Sequence, residues 1–430
     1  MQTPILNPLP AEWPALCQRP QLPVQNLEDT VRQIFSEIQR NGDIAVKKYT
    51  YFFDNAQLEN LRVPEAIVEN SSTLISEALK NAMLLAKNSI EKFHSSQKET
   101  VRYIETNPGV TCWRASRAID KVGIYIPGGT APLFSTVLML GIPAKLAGCR
   151  DIILCTPPDA QGNINPAILY AAQLVGINTI YSIGGIQAIG AMTFGTESVL
   201  KVDKIFGPGN QFVTAAKQAA LHYGVAIDLP AGPSELLVIA DTTANPEFVA
   251  ADLLSQAEHG ADSQVMLLSD NEEMIRAILK AITVQLKTLP RKGIIEKALA
   301  SSKAIVLPTI SECIAFSNSY APEHLIIASE NPEPYTDKIT NAGSVFLGNY
   351  SCESAGDYAS GTNHTLPTNG YARNYSGVSL DSFVKKITFQ QLTADGIRTI
   401  GPAIATMAEA EQLDAHKNAV VLRLKNATNV

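Results

Sequence analysis

At 430 residues, with 46% hydrophobic and 17% charged side chains, the chain is globular in composition and long enough for several domains or a pair of similar halves. No apolar run reaches the roughly 20 residues that span a bilayer, since even STVLMLGIPAKLAGC is interrupted by Pro143 and Lys145. A net charge of -7, from 34 basic and 41 acidic residues without a basic run, counts against a nucleic-acid partner.

The first 23 residues carry six prolines, which fix φ and remove backbone donors, so an extended arm is expected to about Val24, of the kind that packs on another subunit. With no basic region ahead of an apolar stretch, a secretory signal is not expected and the cytoplasm is the expected compartment. The six cysteines form no CxxC pair and read as reduced thiols. From Asn26 a helix is expected, because Val31, Ile34, Phe35 and Ile38 recur at helical spacing, and Gly42 should end it. Further helical sequence follows in SSTLISEALKNAMLLAKNSIEKFHSS.

Near Lys121 the pattern changes to short β-branched runs, each closed by Gly or Pro and followed by helical spacing. VGIYIPGG, RDIILCTPP, NTIYSIGG, KVDKIFGPG and SELLVIAD read as strands, and NPAILYAAQLVG, IQAIGAMTFG and NQFVTAAKQAALHYG as intervening helices. SQVMLLSD, KAIVLPT, HLIIAS and AGSVFLG begin a second series with its own helices, NEEMIRAILKAITVQL and SECIAFSNSY. Such alternation implies an α/β chain with two parallel, doubly wound units. After Gly348 a polar, glycine-rich stretch of the kind that is functional or disordered leads to two final helices, with Asp414 as an N-cap between them.

Candidate chemistry is sparse. The six histidines never lie within thirty residues of one another, so no local paired-histidine metal motif exists. The helix before Gly260 should be capped by Asn245 with Pro246 at its first position. Asp252, Ser255, Gln256 and His259 then share one stripe. That stripe is either a solvated helix end or half of a metal site in which imidazole is joined by a carbonyl oxygen. Glu323 and His324 enter a strand in SYAPEHLIIAS, although adjacent residues of an extended chain point to opposite sides. Glu353, Asp357 and His364 sit in the glycine-rich stretch, where carboxylates can complete a cation site or simply keep a loop solvated. Glu411 and His416 flank the last helix break. Turns at Pro127-Gly128-Gly129-Thr130, Gly184-Gly185 and Gly207-Pro208-Gly209-Asn210 would let backbone approach an anionic or nucleotide ligand, although GxGxxG is absent.

Taken in order, VGIYIPGGTAPLFSTVLM, FGTESVLKVDKIFGPGN, DLPAGPSELLVIAD, DLLSQAEHGADSQV, YAPEHLII, AGSVFLG, ESAGDYASGTNHTLPT and EAEQLDAHKNAV closely resemble histidinol dehydrogenases over nearly the whole length. The resemblance implies oxidation of L-histidinol through L-histidinaldehyde to L-histidine with two NAD, the last step of histidine biosynthesis. It implies one zinc per subunit held by Gln256, His259, Asp357 and His416, and substrate contacts from those residues with Ser234, His324 and Glu411. It further implies His364 as another active-site histidine, NAD contacts from Tyr125, Gln187 and Asn210, and catalysis by His324 as general base and Glu323 as activator of water. A homodimer is implied too, in which Glu411 and His416 complete the partner's site. The expected architecture is an arm at 1–24, one α/β unit from 25–123 plus 236–375, an NAD-binding α/β unit at 124–235, and a helical dimer-contact segment at 376–430. Both α/β units are expected to be incomplete Rossmann-like folds. A zinc hydrolase using Glu323, or a non-catalytic paralogue that binds a related amino alcohol, are the rival readings.

Overall fold

The computed structural model describes residues 3–20, 27–128, 132–230 and 232–427. The expected helix start at Asn26 and the Gly129-Thr130 part of the first glycine turn lie outside them.

Two parallel sheets organise the chain. The smaller has five strands in the spatial order Thr179–Ser182, Asp151–Thr156, Lys121–Tyr125, Lys204–Phe206, Ala226–Ile227. The larger has six: Ile5–Leu6, Lys303–Val306, Gln264–Ser269, Glu235–Ala240, His324–Ala328, Ser344–Leu347. Numbered along the chain within each sheet, and setting Ile5–Leu6 aside, both run 3-2-1-4-5, which is the start of a doubly wound order in which ligands collect at the point of strand reversal. The expected pair of similar halves is therefore present as repeated topology. SELLVIAD, at the end of the first series in sequence, is the central strand of the second sheet, pairing with both 264–269 and 324–328.

The strands are buried on both faces, as parallel strands covered by helices must be. Leu236, Leu237, Val238 and Ile239 are at most 1% exposed, and helices on either side enclose separate clusters around Leu253 and Phe316. Helix boundaries follow the local chemistry: the Asn245 side chain accepts from the N–H groups of Glu247 and Phe248, Pro246 is the first helical residue, and Gly148 and Gly176 close two helices in the left-handed conformation. Gly42, at φ 51, breaks 27–54 into two helical segments, so it ends the first as expected while the second follows without a loop.

Three expectations need correction. The arm is not wholly extended: Pro10–Glu12 and Trp13–Leu16 form short helical turns, because proline is compatible with a first helical turn. Its start adds a short edge strand, Ile5–Leu6, beside Lys303–Val306 of the same chain. Residues 27–95 touch the 236–375 unit where Ser89 and Phe93 meet Gly361, but their apolar faces do not join its core. Val31, Ile34 and Phe35 share a cluster with Ile189 and Ala216, and Met83 and Ile90 share one with Leu138 and Ile168, so both helical stretches cover the smaller sheet. Finally, the C-terminal segment is not all helical. Val384–Leu392 pairs antiparallel with Val110–Ala118, which pairs in turn with Tyr103–Asn107, before the helices Ala394–Ala410 and Asp414–Ala427.

Candidate functional site

The two sheets face each other across a cleft of about 1640 Å³. Single small-molecule sites run to roughly 300–1,000 Å³, so there is room for two ligands. The smaller sheet presents the carboxyl ends of its strands, with Tyr125, Thr156, Ser182 and Gly207 at the wall. The larger presents its amino ends, with Ser234, Ser263 and Glu323. A strand entrance thus becomes a site because the opposing sheet supplies the usual carboxyl ends.

At the smaller-sheet end, Tyr125 is buried and its hydroxyl accepts from Gly185 N–H at 3.1 Å. Gln187 is fully buried; its Nε2 donates to Asp54 at 3.3 Å and its Oε1 has no partner. Burial raises the Asp54 carboxyl to about 6. Asn210 is exposed and accepts from Phe212 and Val213 N–H as an N-cap. Tyr125 and Asn210 line this end of the cleft, whereas Gln187 lies behind the wall and meets it through Asp54. Gly207 is held tightly. Lys217 Nζ donates to its carbonyl at 2.7 Å and its N–H donates to Asp228 at 2.8 Å, while Lys217 and Asp228 form a buried ion pair. Its φ of 128 favours glycine, and a Cβ would overlap the Tyr125 carbonyl oxygen.

At the larger-sheet end, His259, Glu353 and Asp357 each bring a ligand atom within 4.8 Å of the others. The expected polar stripe is mixed: His259 at its end is exposed and Asp252 and Ser255 are partly exposed, but Gln256 between them is not solvated. Gln256 is fully buried and neither of its amide atoms has a partner, and burial raises Asp252 to about 7. Glu353 is buried too, with Oε2 unpartnered, and desolvation followed by the neighbouring carboxylates Asp357, Glu323 and Asp252 pushes its carboxyl well up. Orphaned buried oxygens beside clustered carboxyls and an imidazole are the donor set of a metal ion, which would satisfy the former and relieve the repulsion of the latter. The residues present therefore suit a divalent cation. Part of the glycine-rich stretch is regular: Glu353–Tyr358 is a short helix packed against 246–257.

Glu323 and His324 do converge, with Oε2 and Nδ1 3.8 Å apart, because Glu323 precedes the strand that His324 begins and is not confined to strand alternation. Glu235 holds both. Its N–H donates to Glu323 Oε2 at 2.9 Å and its carbonyl lies 3.3 Å from His324 Nδ1. A carbonyl can only accept, so Nδ1 carries the proton and Nε2, 3.8 Å from Asp357, is the free base. Burial drops the imidazole to about 4 and raises the Glu323 carboxyl well above the usual range, although the Glu235 N–H draws the latter back. His364 is committed: Nδ1 donates to the Asp357 carbonyl and Nε2 accepts from Thr136, so it braces Asp357 against the helix Phe134–Ala147. Ser234 lines the cleft. Glu411 and His416 are exposed on the C-terminal hairpin and are absent from this cluster of their own chain. Glu353, singled out in its stretch but not among the four expected ligands, is the cluster member the family pattern alone leaves out.

A model of the histidinol dehydrogenase family matches residues 17–424. The chain belongs to that family. It is 57% identical to a histidinol dehydrogenase of Bacteroides thetaiotaomicron over 98% of both chains, and 52% identical to one from Photobacterium profundum over 96% of this chain and 93% of the other. The solved histidinol dehydrogenase of Elizabethkingia anophelis superposes with a TM-score of 0.98 at 64% identity, covering 99% of each chain. Histidinol dehydrogenase family membership makes the chain an NAD-dependent oxidoreductase and an enzyme of histidine biosynthesis. Among the described residues no helix is long and apolar enough to cross a membrane.

Proposed function

We propose that this chain oxidises L-histidinol to L-histidine in two NAD-linked steps at one zinc-centred site. The observation that carries the reading is the buried Gln256 amide, without a partner, one turn from His259 and beside the Glu353–Asp357 carboxyls. Gln256, His259 and Asp357 would hold the zinc, with His416 of a second copy; the metal would bind the substrate's imidazole and amino nitrogens while NAD accepts each hydride.

The chain's own groups account for the protons. His324, neutral at pH 7 with Nε2 free, takes the hydroxyl proton as the carbinol hydrogen leaves as hydride. The aldehyde then needs water, and Glu323, oriented by Glu235 N–H and ionised where a bound cation would offset the burial that raises its carboxyl, removes a proton from it as it adds to the carbonyl carbon. The resulting hydrate is again an alcohol, so His324, once its first proton has passed to solvent, accepts the hydroxyl proton of the hydrate in the second oxidation. Tyr125, Gln187 and Asn210 would seat the cofactor, Ser234 and Glu411 would contact substrate, and His364 keeps Asp357 in place.

The reading of a site shared between two subunits rests on Glu411 and His416 being exposed next to Met407, Leu413 and Leu422, which are 65%, 42% and 52% exposed. Apolar side chains grouped in this way are suited to burial by a second copy. Metal removal tests the site without relying on turnover. Histidinol binding, followed by calorimetry with no NAD present, should vanish on chelation and return with zinc; binding that survives full removal of metal contradicts the assignment.

A further inference from the structure

One residue, Glu235, touches both members of the proposed catalytic pair through its main chain. Its N–H fixes Glu323 Oε2 at 2.9 Å and its carbonyl fixes the Nδ1–H of His324 at 3.3 Å. Whatever sets the position of this residue therefore sets the aim of both. Its side chain, 3% exposed, is gripped by Arg19 of the N-terminal arm: Nη2 donates to Oε2 at 2.8 Å, Nε pairs with Oε1, and Asn369 N–H donates to Oε1 at 2.8 Å.

Arg19 also reaches the segment that delivers Glu323 and His324. Nη2 donates to the Tyr320 carbonyl at 2.8 Å, and the guanidinium lies 4.0 Å from the centre of the Tyr320 ring. Tyr320 is followed by Ala321 at φ 54, then Pro322 and Glu323. The Tyr320 hydroxyl donates to Gln264, whose Nε2 returns to the Gln18 carbonyl beside Arg19. The arm thus ties the strand entrance at 235 to the turn at 321, the two places between which the catalytic pair is suspended.

We infer that Arg19 is a positioning residue for catalysis: through Glu235 and the Tyr320 turn it sets the placement of Glu323 and His324 without touching substrate or metal. A buried, bidentate ion pair is a poor source of net stability but a good source of unique geometry, and a misplacement of about 1 Å in a reacting group can cost roughly 100-fold in rate. Arginine is required because its planar fork meets both carboxylate oxygens and lies on the ring together; lysine would keep the charge alone.

The inference rests on the proposed activity, so the two are separated by assaying the wild type alongside. Arg19→Met should lower kcat roughly 10- to 100-fold while histidinol binding to the zinc-loaded protein without NAD stays within about twofold, since Gln256, His259 and Asp357 are untouched. Arg19→Lys should fall between the two, and it decides the matter if Arg19→Met does not fold: a lower kcat with unchanged histidinol affinity supports positioning. Unchanged kcat in a folded variant, or a loss of histidinol binding as large as the loss of kcat, overturns it. A wild type that fails to oxidise histidinol would instead overturn the activity itself.

Discussion

Replacing Lys217 by Met removes the ammonium from a buried pair whose side chains are 4% and 0% exposed. Breaking a buried pair from one side costs roughly 3–5 kcal/mol, chiefly because a charge is left without its counter-ion. The surroundings decide where in that range each variant falls. After Lys217→Met, Asp228 keeps two backbone donors, Gly207 N–H at 2.8 Å and Leu229 N–H at 2.7 Å, which places the loss near about 3 kcal/mol. After Asp228→Leu, Lys217 keeps one acceptor, the Gly207 carbonyl, which places it near about 5 kcal/mol. The double variant should lose less than the sum, because no isolated charge remains. The same pair fixes both polar groups of Gly207 in the cleft, and losing one such hydrogen bond, about 0.5–1.5 kcal/mol, should raise KM for NAD roughly two- to tenfold. Urea unfolding and NAD titrations at saturating histidinol measure the two effects. Losses under about 1 kcal/mol in both single variants, or additive losses in the double variant, would refute the coupling on which this reasoning depends.

Glu323→Gln should slow oxidation of supplied histidinaldehyde roughly 10²–10⁴-fold, the usual weight of a general base, while the first hydride transfer from histidinol, resolved by stopped flow, changes much less; equal losses in both steps would exclude the role given to Glu323. Asp54 is raised by burial from an ordinary carboxyl value of 3.8 to about 6. Below pH 4 it is protonated whether folded or not and carries no penalty. Above pH 6 it is ionised in both states and the native state bears the desolvation cost. Asp54→Asn should therefore raise Tm at pH 7–8, with the gain fading as pH falls through 6 to 4; a gain independent of pH would show that the carboxyl's charge is not responsible.

The two parallel sheets were legible because their strands are unbroken β-branched runs between Gly and Pro, and nearly every one lies where the pattern puts it. What the pattern does not carry is which helix covers which sheet: the stretch around Val31 and Phe35 shows an apolar face but no address, and it packs on the 121–227 unit. The antiparallel hairpin 103–118 escaped because its first strand is exposed along its length, leaving no buried alternation to detect. The turn residues Asn107-Pro108-Gly109 between polar-apolar runs were the available signal.

Site residues divide in the same way. Spacing placed Gln256 and His259 on one stripe but left open whether that stripe was wet. His259 stays exposed, and the burial of Gln256 goes with Glu353–Tyr358 packing on its helix, a contact made across a separation of about a hundred residues. Glu323 and His324 looked opposed while the strand was imagined to include both; the strand starts at His324, and the bend before it turns Glu323 into the same pocket. Arg19 had no signal at all, since a single arginine in a Pro-rich arm is indistinguishable from a solvated one until Glu235 is seen across from it.

The central claim is that one zinc-centred site carries an alcohol to the acid with water supplied in between. Counting NADH spectrophotometrically against limiting L-histidinol tests it most directly. Two NADH and one L-histidine per histidinol, with no free aldehyde and with turnover abolished by chelation, is the predicted result. One NADH with released histidinaldehyde, or no NADH at all, would contradict it.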